Sequence, residues 1–157
     1  MESHREACNR FLVNVFDEIL KTEELYLTGP FPDLSLRELH LIEDVCRAVD
    51  EGGDNRASAL AAEQRVTPGT LTTVTTLLEK KGYLERRKDP NDRRAVRIYP
   101  TEKGRLADAH HARFHQEMVA EALSTLTDEQ ADMLVSALAR LTAFFEKEYH
   151  FKGVDPA

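Results

Sequence analysis

The stretch TPGTLTTVTTLLEKK, residues 67–81, sets Thr70, Thr72, Thr73, Thr75 and Thr76 among leucines at helical spacing. Threonines lower helix propensity and add no solubilising charge, so a surface built of them needs a reason. A slim face of hydroxyls and methyl groups suits the major groove of DNA, where hydroxyls meet bases and phosphates and methyls meet thymine edges. Gly69, near the helix start, lets a phosphate approach the free backbone amides. Pro68, Gly69, Thr70, Thr72, Thr73 and Thr76 are the expected groove-facing residues, and Leu71, Val74, Leu77 and Leu78 the expected buried face. The competing reading is that these threonines hydrogen-bond only their own helix backbone.

A second group follows within a few residues. Arg86, Arg87 and Lys88 lead into an Asp-Pro/Asn-Asp turn, and Arg93, Arg94 and Arg97 leave it. Arginine on a loop tip can enter a minor groove, where narrow geometry strengthens the negative potential. Arg93 is expected to contact DNA directly, with Arg86 and Arg94 as further contacts. Asp92 is expected to serve structure, holding Arg94 as a bidentate partner. Lys80, Lys81 and Lys103 are open to either phosphate or salt-bridge roles. The whole chain of 157 residues carries a formal charge of -7, which does not by itself suit a phosphate partner. Its distribution does: residues 80–105 hold ten basic and four acidic residues, an excess of six, leaving -13 elsewhere. One face meets a polyanion and the rest repels it.

Histidines form a third group. His111 and His115, four residues apart, can share one face of a helix, with His110 beside them and His40 earlier in the chain. They read first as polar residues bordering the core, so no cofactor is expected. The alternative is a mixed nitrogen and oxygen zinc site completed by Glu23 or Glu24. Cys8 and Cys46 are too few and too isolated for disulfide staples or a thiolate metal site. They read as reduced thiols of a cytoplasmic protein. A redox sensor at Cys8 lacks a basic cluster to lower its pKa. No nucleophile motif or glycine-rich phosphate loop supports an enzyme, and no apolar run is long enough to span a membrane.

The elements that must position these groups follow from periodicity and punctuation. Apolar residues from Phe11 to Leu27 at helical spacing predict a first helix from roughly Arg5 to Leu27, ended by Gly29, Pro30 and Pro32. Ser35 with Glu38 is a capping box opening a second helix to about Val49. A short helix over residues 56–64 precedes the threonine helix, which Thr67 caps with Pro68 at its first position and Gly82 ends. Residues 83–88 and 95–99 predict two strands, with Pro100 as the stop. Two long helices complete the chain: residues 101–123, with a stripe of Leu106, Ala109, Phe114, Met118 and Val119, and 127–149, opened by Thr127 and Gln130. The expected fold is mainly α with a small β-hairpin wing: a winged helix-turn-helix core over residues 35–100, flanked by dimerisation helices over 1–34 and 101–157. The outer helices carry more apolar surface than the core can cover, which predicts a homodimer meeting double-stranded DNA at a near-palindromic operator.

The run from Thr67 to Gly104 resembles the signature of the MarR family: a recognition helix ending in Leu78–Gly82, a wing with Asp92 and Arg94, then Thr101 and Gly104. Pro100 departs from the leucine usual before that threonine. Within the family, FLVNVFDEILKTEE, LRELHLIE, TLTTVTTLLEKKGYLER and KGRLADAHHARFHQEMV are similar to the repressors of fatty acid biosynthesis genes of streptococci and their relatives. That likeness implies a transcriptional repressor with long-chain acyl-acyl carrier protein as co-repressor. The acidic carrier would dock on basic residues such as Arg10, Arg37, Arg105 and Arg113. Zinc-responsive members of the family look similar around Glu24, His40, His111 and His115, which implies the alternative effector.

Overall fold

The computed structural model describes residues 2–148. Helix α1 spans His4–Thr28 and begins with a capping box in which Ser3 and Glu6 exchange hydrogen bonds, a start signal that the apolar pattern alone does not reveal. Helix α2, Leu36–Asp50, opens on the expected Ser35–Glu38 box. Helix α3 spans Ala57–Glu63 and helix α4 Pro68–Lys80, where the Thr67 hydroxyl accepts the Thr70 amide. Gly82 then adopts φ +82, a conformation open to glycine without steric penalty. Strands β1, Leu84–Lys88, and β2, Val96–Pro100, pair antiparallel in the register Leu84↔Pro100 to Lys88↔Val96. Pro100 is thus the last residue of the ladder, tolerated at its end. Helix α5 spans Glu102–Leu123, and α6 spans Asp128–Glu148 behind the Thr127–Gln130 box. The expected end at Tyr149 lies outside the described residues.

The core gathers around α2. Leu39, Leu41, Ile42, Val45 and Cys46 are buried against Leu27, Leu60, Leu71, Leu78, Tyr83, Ile98 and Ala107. Two expected stripes are rotated. In α4 the buried row is Leu71, Thr75 and Leu78, while Leu77 is 44% exposed. In α5 it is Gly104, Ala107 and His111, while Leu106 is 59% exposed. Both rows step by three and four residues; a neighbour one residue away is turned by about 100° and leaves the core. Helix α6 buries none of its residues, and α1 exposes Phe11, Val15, Phe16 and Leu20.

One knot joins the parts. Thr101 accepts the Gly104 amide and donates its hydroxyl to the carbonyls of Gly82 and Tyr83, while its own amide also donates to Tyr83 O. A Cβ on Gly104 would lie 2.3 Å from that same carbonyl, which gives the Thr-x-x-Gly pair a steric cause. Tyr83 is buried, and its hydroxyl donates to Asp33 at 2.6 Å. These contacts tie the end of α4, the wing and the start of α5 to one another.

Candidate nucleic-acid interface

On α4, Pro68, Gly69, Thr72 and Thr73 are exposed, and Thr70 and Thr76 half-buried. The hydroxyls of Thr72, Thr73 and Thr76 donate to the carbonyls of Pro68, Gly69 and Thr72 at 2.9, 3.0 and 2.8 Å. The protons of these hydroxyls thus serve the helix backbone, while the Thr72 and Thr73 oxygens keep their capacity to accept. The exposed pair Thr72 and Thr73 matches base amino groups and thymine methyls better than it matches phosphate. Thr75 points inward instead, and its buried hydroxyl has no hydrogen-bond partner among the described residues.

Arg86, expected on DNA, is engaged within the protein. It donates to Thr72 O at 2.9 Å and to the Thr76 hydroxyl at 2.6 Å, and it lies 3.3 Å from Glu79. The Glu79 carboxylate also accepts the Arg86 amide at 2.9 Å. Arg86 thus ties β1 to the threonine face and acts on Thr76 through that bond.

Asp92 has a structural role, but not the one expected. It accepts the Arg94 amide at 2.9 Å, a local turn bond, rather than gripping the guanidinium. The arginine that is gripped is Arg97, which donates to Asp89 at 2.5 Å and to Asn55 at 2.7 Å. Asn55 in turn donates to Ile98 O, and Asp89 accepts the Asn91 amide, the main reason its carboxyl is held below the usual aspartate range. Asn55 and Asp89 are both buried, so this network anchors the wing to the loop before α3. It escaped the sequence reading because Asn55 and Arg97 are 42 residues apart.

Arg93 and Arg94 are both exposed. A cleft of about 230 Å³ runs between the helices and the wing, lined by Ser58, Pro68, Thr72, Arg94 and Ala95 among others. The structure therefore brings the exposed threonine face and the arginine wing onto one side. Lys81 and Lys103 leave that set: Lys81 pairs with Glu38 at 2.7 Å, and Lys103 lies 4.0 Å over the Tyr83 ring. Arg10, Arg105 and Arg113 pair with Glu2, Asp50 and Glu117, so these three basic residues are locally neutralised.

The histidines converge elsewhere, between α1, α2 and α5. His111 Nε2 lies 3.0 Å from Glu23 Oε1 and 3.2 Å from His115 Nε2, and its Nδ1 faces Glu43. Burial opposes charge on His111, but the hydrogen bonds and charges of Glu43 and Glu23 outweigh it and raise the pKa. Of the two first-helix carboxylates, Glu23 is the one drawn in; Glu24 is exposed and apart from this cluster. His40 is exposed, its ring 5.8 Å from that of His111, and stands outside the cluster. His110 stacks on Tyr26 at 4.1 Å.

A MarR family model matches residues 47–96, from the end of α2 through the start of β2. The solved structure of Streptococcus pneumoniae FabT in complex with DNA is similar over 91% of this chain and 98% of that one, with 35% sequence identity and a TM-score of 0.82. An HTH-type transcriptional regulator of Mycobacterium bovis is 29% identical over 80% of this chain and 85% of its own length. Another, of Bacillus subtilis, is 29% identical over 64% of this chain, which spans 65% of that relative.

Proposed function

This chain belongs to the MarR family of winged helix-turn-helix transcription regulators, and from that premise we propose that it represses fatty acid biosynthesis genes as a homodimer on a near-palindromic operator, with long-chain acyl-acyl carrier protein as co-repressor. The observation that carries the DNA reading is the shared face of α4 and the wing in a chain 35% identical to a protein solved on DNA. Thr72 and Thr73 lie in the major groove, and Arg93 and Arg94 reach phosphate or the adjacent minor groove.

Dimerisation follows from α1 and α6. Met133 and Leu138 on α6 are 71% and 49% exposed, and Phe11 and Phe16 on α1 are each 60% exposed. Helices in water owe most of their stability to packing an apolar face, so α6 needs a surface that its own chain does not supply. A second copy offers the same apolar faces and closes the assembly with two-fold symmetry. Two α4 helices then meet two half-sites one helical turn, or a multiple, apart.

For the effector, an apolar cavity of about 340 Å³ lies between α1 and α5, lined by Val15, Ile19, Thr22, Phe114 and Met118 among others. It has the chemistry to take a hydrocarbon chain. Each methylene buried there adds about 0.8 kcal/mol, roughly a fourfold gain in affinity per carbon. The test is operator binding by fluorescence anisotropy with acyl carrier protein that is unacylated or carries short or long chains. Tighter DNA binding that grows with chain length supports the reading. Equal binding with all of them refutes the co-repressor, and equal binding to scrambled DNA refutes the operator.

A further inference from the structure

We propose that Arg37, on the first turn of α2, is a DNA-backbone contact that holds α4 in the major groove from the side opposite the wing; this rests on the reading of α4 as the helix that enters the groove. A helix with its side chains is about 10–12 Å across and the major groove about 12 Å wide, so α4 fills the groove and its two flanks face the two phosphate strands. One flank lies along the cleft shared with the wing, where Pro68 and Thr72 meet Arg94. Thr70 is two residues from Thr72 and so about 200° around the helix, on the other flank. Helix α2 borders that flank: Arg37 and Leu41 line a crevice with Thr70 and Val74. Thr73 falls between the flanks and is exposed.

Arg37 is exposed, and it makes no ion pair among the described residues. The acids nearest to it in the chain are committed elsewhere: Glu38 to Lys81 and the Ser35 cap, Asp33 to the Tyr83 hydroxyl. Leu41, Val66 and Val74 give the crevice an apolar lining. An exposed arginine rests its stem on such a lining and keeps its charged head in water. At the second position of α2 that charge opposes the positive end of the helix dipole, so it does not serve the stability of its own helix. A phosphate matches a free planar guanidinium with paired hydrogen bonds. The family likeness offers Arg37 to an acidic carrier protein instead. Its companions in that role, Arg10, Arg105 and Arg113, are each paired with a carboxylate, whereas beside α4 it completes a row of free cations with Arg93 and Arg94.

The experiment is fluorescence anisotropy of the full chain on operator and scrambled duplexes across a salt series, with no carrier protein present. Arg37→Ala is expected to make the slope of log K against log salt shallower by about 0.9 per protomer on both duplexes alike, since phosphate carries no base identity. Its Tm should not fall, because a cation leaves the start of a helix. Arg37→Lys restores the charge and should restore most of the lost slope. An unchanged slope in Arg37→Ala, beside a reduced slope in Arg93→Ala, overturns the Arg37 contact and leaves the DNA reading intact. A lysine variant as shallow as the alanine overturns a charge contact. An effect of Arg37→Ala seen only after long-chain acyl-acyl carrier protein is added overturns it in favour of the carrier. Wild type without salt-dependent binding to either duplex overturns the DNA reading and this contact together.

Discussion

Gly104→Ala tests the knot on which the wing hangs. The added Cβ would lie 2.3 Å from Tyr83 O and 3.3 Å from the Tyr83 carbonyl carbon. Ordinary contact begins at 3.4 Å, so backbone must move by about 1 Å on one side or the other. Overpacking of this kind costs about 1–3 kcal/mol. The shift also pulls Tyr83 O from the Thr101 amide and hydroxyl, each 3.0 Å away, adding about 1 kcal/mol per bond. The expected loss is about 3–5 kcal/mol, a large part of the roughly 5–15 kcal/mol that holds a domain together. For a chain of this length it lowers Tm by about 10 °C. Thermal and urea melts at one protein concentration measure it, since association shifts apparent stability. Gly69→Ala is the control: its Cβ meets only Thr67 Oγ1 at 4.0 Å, and alanine in a helix is expected to stabilise by about 0.5 kcal/mol. A Gly104→Ala protein melting within about 2 °C of wild type would refute the steric account of Thr-x-x-Gly.

Thr75→Val replaces a buried, unpartnered hydroxyl with a methyl of similar shape and is expected to raise stability by about 1 kcal/mol; a lower Tm would contradict the burial of Thr75 Oγ1. Arg93→Ala should leave Tm unchanged, weaken operator binding and make the slope of log K against log salt shallower by about 0.9 per protomer. An unchanged slope would remove Arg93 from the phosphate contacts. At Cys46, burial, aided by the negative charge of Asp108, pushes the thiol up to about 12, whereas Cys8 is exposed. Iodoacetamide at pH 8 should therefore add one group to the native protein, at Cys8, and a second only in denaturant. Mass spectrometry showing both at similar rates would refute the sealed position of Cys46.

Much local chemistry was legible where it is written within one turn or one hairpin, although the Ser3–Glu6 box and the Asp92–Arg94 amide bond were not. Ser35 with Glu38, Thr67 with Pro68, Gly82, the Asp-Pro/Asn-Asp turn and Thr127 with Gln130 each act on backbone groups within a few residues, so their spacing alone places the helices and the wing. The likeness around Thr67–Gly104 likewise lies in contiguous residues. The threonine and arginine groups stand on the surface of those elements, and most of their expected exposure follows from helical period. The exceptions are informative. Leu77 and Thr75 exchange places because an apolar residue one step off the buried row cannot turn back to it, and hydropathy does not record angle. Arg86 looks like every other wing arginine until the fold places the Thr72 carbonyl and Thr76 hydroxyl beneath it.

The amino-acid sequence thus determined the order of elements, most helix ends and the surface position of the threonine and arginine groups, because each depends on near neighbours and on period. Only the tertiary structure decided which charges are already spent: Arg97 on Asp89 and Asn55, Lys81 on Glu38, Arg86 on α4, leaving Arg93 and Arg94 at the surface. It also chose Glu23 over Glu24 and set it against two histidines that lie 88 and 92 positions later, a meeting that requires α1 and α5 to pack side by side. Pairing across such distances is a property of packed helices, and no local spacing encodes it.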